Sequence, residues 1–221
     1  MSEATTPIRI DFVSDVSCPW CAIGLQALEQ AIARVGGDAT VELRFQPFEL
    51  NPRMPVEGED AIAHLTGKYG ISAEQARQNG EAIRVRGAEL GFTFDMDRRR
   101  HVWNTFDAHR LLHWAGLEAL EKQRSLKHAL LRAYFTDGEN VSDHDVLARL
   151  AGSAGLDGDR ARQILASDEF AAAVRERQRH YAGSGITAVP SIIFNDRHLV
   201  QGGQPVDVFE RVLRQLAAGA G

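Results

Sequence analysis

The chain has 221 residues, of which 44% are hydrophobic and 25% are charged, and its net charge at pH 7 is -5. This length can bury one large core or a small domain with an insertion, and the composition is that of a globular protein rather than a disordered or fibrous one. The acidic balance excludes a general basic footprint for nucleic acid. No apolar run approaches the roughly 20 residues that span a bilayer, so we expect neither a nucleic-acid nor a membrane partner.

The first residues, MSEATTPIRIDF, lack the basic start, apolar stretch and small-residue cleavage site of a secretory signal. We therefore expect a cytoplasmic protein. In that reducing compartment a close pair of cysteines more often serves redox or metal chemistry than a stable structural disulfide.

The first 50 residues alternate between strand and helix patterns. IRIDFV (8–13) alternates apolar and polar residues, which predicts a strand. Apolar residues from Pro19 onward recur at steps of three and four and predict a helix that ends at Gly36 and Gly37. VELRFQPF (41–48) predicts a second strand, and its Pro47 indicates a sheet edge.

Helical patterns dominate residues 51–182, where glycines separate segments that predict a bundle of about five helices. Strand signals return with PSIIF (190–194) and HLVQ (198–201), and a closing helix is predicted from Pro205. The sequence thus predicts an α/β protein. We predict that residues 1–50 and 183–221 form one discontinuous domain and that residues 51–182 form a helical insertion.

The two cysteines of the chain, Cys18 and Cys21, lie three residues apart where the first helix is predicted to begin. This spacing places both thiols on one helix face, near disulfide geometry. The helix start favours the thiolate of Cys18, whereas Cys21 lies one turn inside and faces the core. Pro19 suits the first helical turn, and Trp20 adds an apolar surface beside the sulfur. We predict that Cys18 attacks a disulfide and that Cys21 resolves the mixed disulfide.

Two other interpretations of the cysteine pair are packed core thiols and part of a metal site. Two cysteines cannot form a four-thiol site, and no histidine has a finger-like spacing from them. His109 and His113 lie four residues apart on a predicted helix, but no third ligand is evident. We therefore predict no bound metal.

A second motif, GITAVPSIIF (185–194), places Pro190 at the start of a strand. A CxxC at the first helix together with a Val-Pro before the third strand resembles the thioredoxin fold. With its long helical insertion and the stretches DFVSDVSCPWCAIG, NTFDAHRLL and GITAVPSIIFNDRHLVQGGQP, the chain resembles the DsbA-like family, particularly its FrnE-like branch. The resemblance implies a thioredoxin fold with a large all-helical insertion between βαβ and ββα halves.

The resemblance also implies roles for the Val-Pro pair. Pro190 would follow a cis peptide bond and pack against the cysteines, and Val189 would offer backbone groups to an extended substrate segment. An ordinary trans turn is the alternative for these two residues.

The chain departs from its relatives at two positions. Many carry a buried acid six residues before the nucleophile, but here that residue is Phe12. Asp11 and Asp15 are nearby, and Asp15 is our candidate proton relay, although it could also cap the helix or face solvent. Trp20 stands where strongly oxidising relatives tend to hold a histidine. We therefore expect a less oxidising cysteine pair.

Asn104, His109 and the residues at 97–101 are further candidate contacts for a substrate. In the resembled family the helix that contains Asn104 and His109 tends to lie near the active site, so both are candidate substrate-binding residues; otherwise they are satisfied polar groups at a domain junction. The basic cluster at residues 97–101 could bind a carboxylate of glutathione or form a solvated loop.

These observations predict a thiol-disulfide oxidoreductase that acts on protein or small-molecule disulfides as a monomer or homodimer. It would need no resident cofactor, and glutathione is a candidate co-substrate. The alternative is a glutathione-dependent isomerase or transferase, since kappa-class transferases and hydroxychromene-carboxylate isomerases resemble the same architecture. Those relatives generally use a serine nucleophile and no resolving thiol, so Cys21 favours the oxidoreductase.

Overall fold

The first half of the sheet forms as the sequence predicts. A computed structural model describes residues 7–219. Residues 1–6 lie outside the described part, and the expectation that the protein is not secreted rests partly on them. Strand β1 spans Ile8–Ser14, helix α1 spans Pro19–Val35, and strand β2 spans Val41–Pro47.

Four strands form the main sheet in the order β2-β1-β5-β6. Strand β5 spans Ser191–Phe194, β6 spans His198–Gln201, and the closing helix α9 spans Val206–Ala217. β1 pairs in parallel with β2 and antiparallel with β5, and β5 pairs antiparallel with β6. This topology confirms the thioredoxin fold, with β2 at the edge that Pro47 indicated.

Seven helices lie between β2 and β5, so the expected count of about five was wrong. They are α2 (Ala61–Tyr69), α3 (Ala73–Glu89), α4 (Phe106–Glu118), α5 (Leu120–Arg132), α6 (His144–Ser153), α7 (Gly158–Leu165) and α8 (Ala171–Gly183). Two short strands, β3 (Glu59–Asp60) and β4 (His101–Val102), also pair with each other in this segment. The segment is thus not purely helical.

The two extra helices result from breaks without a glycine or proline. The helical pattern of residues 104–135 predicts one helix, but the chain is divided at Ala119, whose backbone is extended with φ -166° and ψ 145°. The helical pattern of residues 157–182 also predicts one helix, but the chain is divided before Phe170, which adopts a left-handed φ of 62°. Alanine and phenylalanine do not favour a helix break. The helical periodicity of the sequence therefore continues through both positions and does not indicate where the helices end.

The sheet and the helical segment share one buried core. Phe12 of β1 meets Phe45 of β2 edge-to-face, with ring centroids 5.8 Å apart. Leu111 of α4 and Leu126 of α5 belong to the same buried cluster as these strands. Because packing is continuous across residues 50 and 183, the division into two domains stays a prediction. Within residues 7–219, no helix is both long and apolar enough to cross a membrane.

Candidate active site

Cys18 lies at the point where the chain leaves β1 and enters α1. It is the N-cap residue of α1, and Pro19 follows it in the first turn, where a missing N–H costs no hydrogen bond. Its sulfur lies 3.8 Å from the carbonyl oxygen of Val189. The side chain is 3% exposed, so its contact with solvent is narrow.

Cys21 lies one turn further into α1 and is fully buried. Its backbone N–H donates to the Cys18 carbonyl at 3.1 Å. Burial raises the pKa of the Cys21 thiol well above its ordinary value, with a further rise from the hydrogen bond and charge of Cys18. Cys21 is therefore a protonated thiol held against its neighbour, as a resolving thiol must be before it reacts.

The Val189–Pro190 peptide bond is cis, and Pro190 is buried beside α1. A Cβ atom at Gly24 of α1 would lie 3.1 Å from Cγ of Pro190, so a glycine at this position allows the helix and the proline to approach each other. Val189 is half-buried. The loop before β5 thus presents a backbone carbonyl to Cys18.

A groove of about 1260 Å³ opens in front of Cys18, and we call it the front groove. Cys18, Pro19, Trp20 and Val189 line it, so the predicted substrate-binding residues other than Asn104 and His109 meet here. Trp20 is 45% exposed and offers a large apolar surface. Helices α2 and α3 and the loop before β4 supply the other walls.

The walls of the front groove carry apolar, cationic and acidic side chains, the acidic ones being Asp60, Glu81, Asp95 and Asp97. The apolar ones include Ile62, Leu65, Ile83 and Met96, and the cationic ones are Lys68, Arg77, Arg84, Arg99 and Arg100. Three residues of the predicted cluster at 97–101 therefore reach the groove, namely Asp97, Arg99 and Arg100. Arg99 is also tethered, because its Nε donates to the Tyr134 hydroxyl at 3.1 Å.

Asp15 lies beneath the cysteines and is fully buried. Its carboxylate accepts hydrogen bonds from the Leu50 N–H at 2.7 Å and the Ser17 hydroxyl at 2.9 Å, and it meets Nε2 of His109 at 3.3 Å. Burial alone would raise the pKa of Asp15, but the hydrogen bond and charge of His109, with the Leu50 N–H, lower it to about 2. Asp15 is thus held as a carboxylate, and its proton-relay role stays a prediction.

The structure places His109 and Asn104 outside the front groove. His109 supports Asp15 from α4. The Asn104 side chain donates to the Met54 carbonyl at 2.9 Å and accepts from the Phe106 N–H at 2.9 Å. Neither is among the described residues that line the groove. Their hydrogen bonds agree with the alternative interpretation, satisfied polar groups at a junction, and substrate contact by Asn104 and His109 stays a prediction.

His109 and His113 of α4 have separate partners. His113 is half-buried and packs against Phe170, while His109 is engaged by Asp15. Across residues 7–219, no three His, Cys, Asp or Glu side chains are grouped to hold a metal ion.

A buried lysine that we did not predict from the sequence lies on α5. Lys127 of α5 is fully buried, and its charge opposes the rise in the pKa of Cys21. The sequence could have indicated that Lys127 is buried, because it lies four residues from both Gln123 and Leu131 on the apolar face of α5. A solvated lysine is not expected on that face.

Comparisons with known proteins agree with this geometry. A family described as the DSBA-like thioredoxin domain matches residues 9–214. The uncharacterized protein YwbO of Bacillus subtilis is 28% identical over 93% of this chain and 96% of its own length. The crystal structure of a probable DsbA oxidoreductase, SCO1869 of Streptomyces coelicolor, is 34% identical, with a TM-score of 0.87 over 97% of this chain and 91% of that one.

A more distant structure shares the fold alone. The cytosolic disulfide reductase DsbM of Pseudomonas aeruginosa, solved with GSH, is 17% identical and has a TM-score of 0.64. The match covers 94% of this chain and 98% of DsbM.

Proposed function

Since this chain belongs to the family of DSBA-like thioredoxin domains, we propose that it is a thiol-disulfide oxidoreductase whose reactive groups are Cys18 and Cys21. The observation that carries the proposal is the sulfur of Cys18, 3.8 Å from the Val189 carbonyl at the mouth of the front groove, with the protonated Cys21 behind it.

The reaction proceeds by two exchanges of sulfur partners. The thiolate of Cys18 attacks one sulfur of a substrate disulfide, the substrate S–S bond breaks, and one substrate thiol leaves with a proton from solvent. Cys21 then loses its proton and attacks Cys18, which releases the second thiol and forms the Cys18–Cys21 disulfide. Two electrons pass from the protein dithiol to the substrate. In the reverse direction the protein disulfide oxidises a dithiol.

The surroundings of Cys18 suit a substrate chain that lies along the groove. The Val189 backbone can pair with an extended segment, in the manner of an added strand, while Pro190 and Trp20 provide apolar contact. The proposal covers protein and small-molecule disulfides. We also propose that the reaction takes place in a reducing cytoplasm. The oligomeric state, a monomer or a homodimer, stays a prediction.

A glutathione-dependent isomerase or transferase is the second candidate, and the cationic groove walls favour it. Arg84 is already paired with Glu81 and Arg77 with Glu74. Arg99 and Arg100 could bind the carboxylates of glutathione, and DsbM, which shares the fold, was solved with GSH. Under either candidate glutathione would be a co-substrate rather than a bound cofactor.

One set of variants tests the proposal. Because the chain holds two cysteines, Cys21→Ser leaves Cys18 as a single thiol, so intact mass identifies any mixed disulfide without ambiguity. We expect Cys18→Ser to abolish disulfide reduction, and Cys21→Ser to accumulate the mixed disulfide without turnover. Full turnover by Cys21→Ser would refute the resolving role. Retention of glutathione-dependent isomerisation or conjugation by Cys21→Ser would establish the second candidate.

A further inference from the structure

Arg99 is a cation of the front groove whose guanidinium is only partly bonded. It is half-buried and lines the groove together with Cys18. Its Nε donates to the Tyr134 hydroxyl, but no described residue accepts a hydrogen bond from either terminal nitrogen. Neither nitrogen is among the buried unpartnered atoms of residues 7–219, which are Oε1 of Glu49 and Nζ of Lys127. Both terminal nitrogens therefore reach solvent, and the opening that Arg99 lines is the front groove.

Two aromatic rings hold the guanidinium of Arg99 in place. Its Cζ lies 5.2 Å from the centroid of the Tyr134 ring and 5.5 Å from that of the Phe135 ring, within the range of cation–π contacts. Both rings are buried. The Tyr134 hydroxyl, which accepts from Nε, itself donates to the His101 carbonyl at 3.0 Å. We call these two rings and this hydroxyl the arginine seat.

A π-helical turn at Ala133–Asp137 builds the arginine seat. Such turns are rare in proteins and frequently occur at functional sites. The turn is tied to the loop before β4, because the Asp95 N–H donates to the Phe135 carbonyl at 2.8 Å. Gly138 follows the turn with a left-handed φ of 72°, and a Cβ atom there would lie 2.5 Å from the Arg98 carbonyl oxygen. The seat and the loop are thus packed tightly against each other.

The other cations of the front groove are bonded or more exposed. Lys68 donates to two oxygen acceptors, and Arg77 and Arg84 pair with acids of their own helix, α3. Arg100 is exposed, and its Nε donates to a backbone carbonyl at 2.9 Å. Arg99 is therefore the groove cation that combines a fixed position with a free pair of terminal nitrogens.

The acids of the front groove leave the charge of Arg99 uncompensated. Glu81 and Asp95 pair with other arginines, and Asp60 accepts from a backbone N–H as the N-cap of α2. Asp97 is exposed, and no hydrogen bond or ion pair joins it to Arg99. A free guanidinium fork binds a carboxylate through two parallel hydrogen bonds, which a lysine cannot reproduce.

We propose that Arg99 is a specificity-determining residue that selects small disulfides carrying a carboxylate. This inference rests on the proposed function, and it concerns which disulfide is bound rather than how the sulfurs exchange. A concave site with apolar walls and a few fixed polar groups is typical of small-molecule binding. Because Arg99 and Cys18 line the same groove, a molecule held by its carboxylate at Arg99 can present its disulfide to Cys18.

The test compares two aromatic disulfides that release coloured thiolates. One is a bis-nitrobenzoate with a carboxylate on each ring, and the other is its neutral carboxamide analogue. The rate constant for attack by the reduced protein is divided by that of a free dithiol with the same probe, which removes the intrinsic reactivity. We expect wild type to prefer the carboxylate probe. Arg99→Gln should slow reaction with this probe about tenfold to a hundredfold and leave the carboxamide rate unchanged.

Three further variants separate the fork from charge and structure. Arg98→Gln is the matched control, because Arg98 pairs with Asp95 at 3.3 Å and lies outside the groove lining. It removes the same charge one position away and should behave as wild type. Arg99→Lys keeps the charge without the fork, so its rate with the carboxylate probe should lie between wild type and Arg99→Gln. Tyr134→Phe frees Nε and should slow only the carboxylate probe, by less than Arg99→Gln.

Two additional ligands test binding and substrate size. S-methylglutathione carries carboxylates but no disulfide, so calorimetry measures its binding without sulfur exchange. We expect Arg99→Gln to weaken this binding about tenfold or more. A peptide disulfide with a glutamate side chain is the second ligand. An Arg99 effect on this peptide that is absent from both small carboxylates would overturn the assignment to small disulfides.

The outcomes distinguish the two proposals. A wild-type protein that releases no thiolate from either aromatic probe would refute the proposed function. Thiolate release without any preference for the carboxylate probe would overturn the role of Arg99 alone, and so would equal slowing by Arg99→Gln and Arg98→Gln. If the Arg99 variants do not fold, the preference of wild type still decides, because that measurement needs no substitution.

Discussion

The sulfur of Cys18 lies 3.8 Å from the carbonyl oxygen of Val189, although 171 positions separate the two residues in the chain. Their contact requires α1 and the loop before β5 to pack closely. Gly24 permits this packing, since a Cβ atom there would lie 3.1 Å from Cγ of Pro190 and 3.5 Å from Cα of Gly203.

We predict that Gly24→Ala destabilises the protein. The added methyl group must displace Pro190, and overpacking of this kind costs about 1–3 kcal/mol, which exceeds the helix-propensity gain of roughly 1 kcal/mol. Denaturant unfolding measures the change. Gly152→Ala is the control, because a Cβ at that position of α6 meets nothing within 4 Å. It should be neutral or slightly stabilising, and equal gains in both variants would contradict the prediction.

The low pKa of Asp15 predicts acid-dependent stability. Its folded value of about 2 lies below the ordinary value of 3.8, so the folded state favours the carboxylate. This contribution is complete above about pH 4 and is lost as the pH falls toward 2. With 1.36 kcal/mol per pH unit of pKa difference, it amounts to about 2 kcal/mol.

Unfolding of wild type and Asp15→Asn between pH 2 and pH 6 measures this linkage. The free energy of unfolding of wild type should fall more steeply below pH 4 than that of the variant, by about 2 kcal/mol in all. Parallel curves would show that Asp15 is not held ionised by the fold.

We predict that the side chain at position 20 affects the equilibrium between the dithiol and the disulfide of Cys18 and Cys21. Trp20 follows Pro19 between the cysteines and carries no charge, while a protonated histidine at this position would stabilise the Cys18 thiolate. We expect Trp20→His to favour the reduced dithiol about tenfold, which raises the reduction potential by about 30 mV. Equilibration with a glutathione buffer gives the potential. An unchanged or lower value would contradict the proposed effect of Trp20, and a wild-type potential at or above about -120 mV would contradict a weakly oxidising pair.

We predict that Gln123 of the helical segment stabilises the sheet. Its amide satisfies the Phe45 N–H and carbonyl and also donates to the Leu112 carbonyl at 3.1 Å. Gln123→Ala leaves buried backbone groups unpaired and should cost roughly 1–3 kcal/mol in thermal or denaturant unfolding. Gln78→Ala, on the exposed face of α3, should change stability by less than about 0.5 kcal/mol. Similar losses in the two variants would refute the specific role of Gln123.

The elements of the sheet could be predicted because their signals are local. The alternation in 8–13 and 41–48 located β1 and β2, and the turn at Asn195 and Asp196 located the β5–β6 hairpin. The breaks at Ala119 and before Phe170 could not be predicted, because tertiary packing sets those backbone angles. The short β3–β4 pair depends on contacts between residues about 40 positions apart.

The residues of the candidate site also differ in whether the sequence alone could locate them. Cys18 and Cys21 could be located from their CxxC spacing at a predicted helix start, and Pro190 from the resemblance of its Val-Pro motif to the thioredoxin fold. The placement of His109 against Asp15 and of Lys127 over the Phe45 ring depends on how α4 and α5 pack on the sheet. Such contacts across the fold leave no spacing pattern in the sequence.

The pairing of Gln123 with the backbone of Phe45 also bears on self-association. A strand at the border of a sheet offers unpaired backbone groups on which a second molecule can grow. Along β2, the helical segment occupies part of that border. The opposite border, β6, is four residues long, and strands this short are poor templates for fibril growth. The packing of α5 on β2 therefore also helps the sheet to resist aggregation.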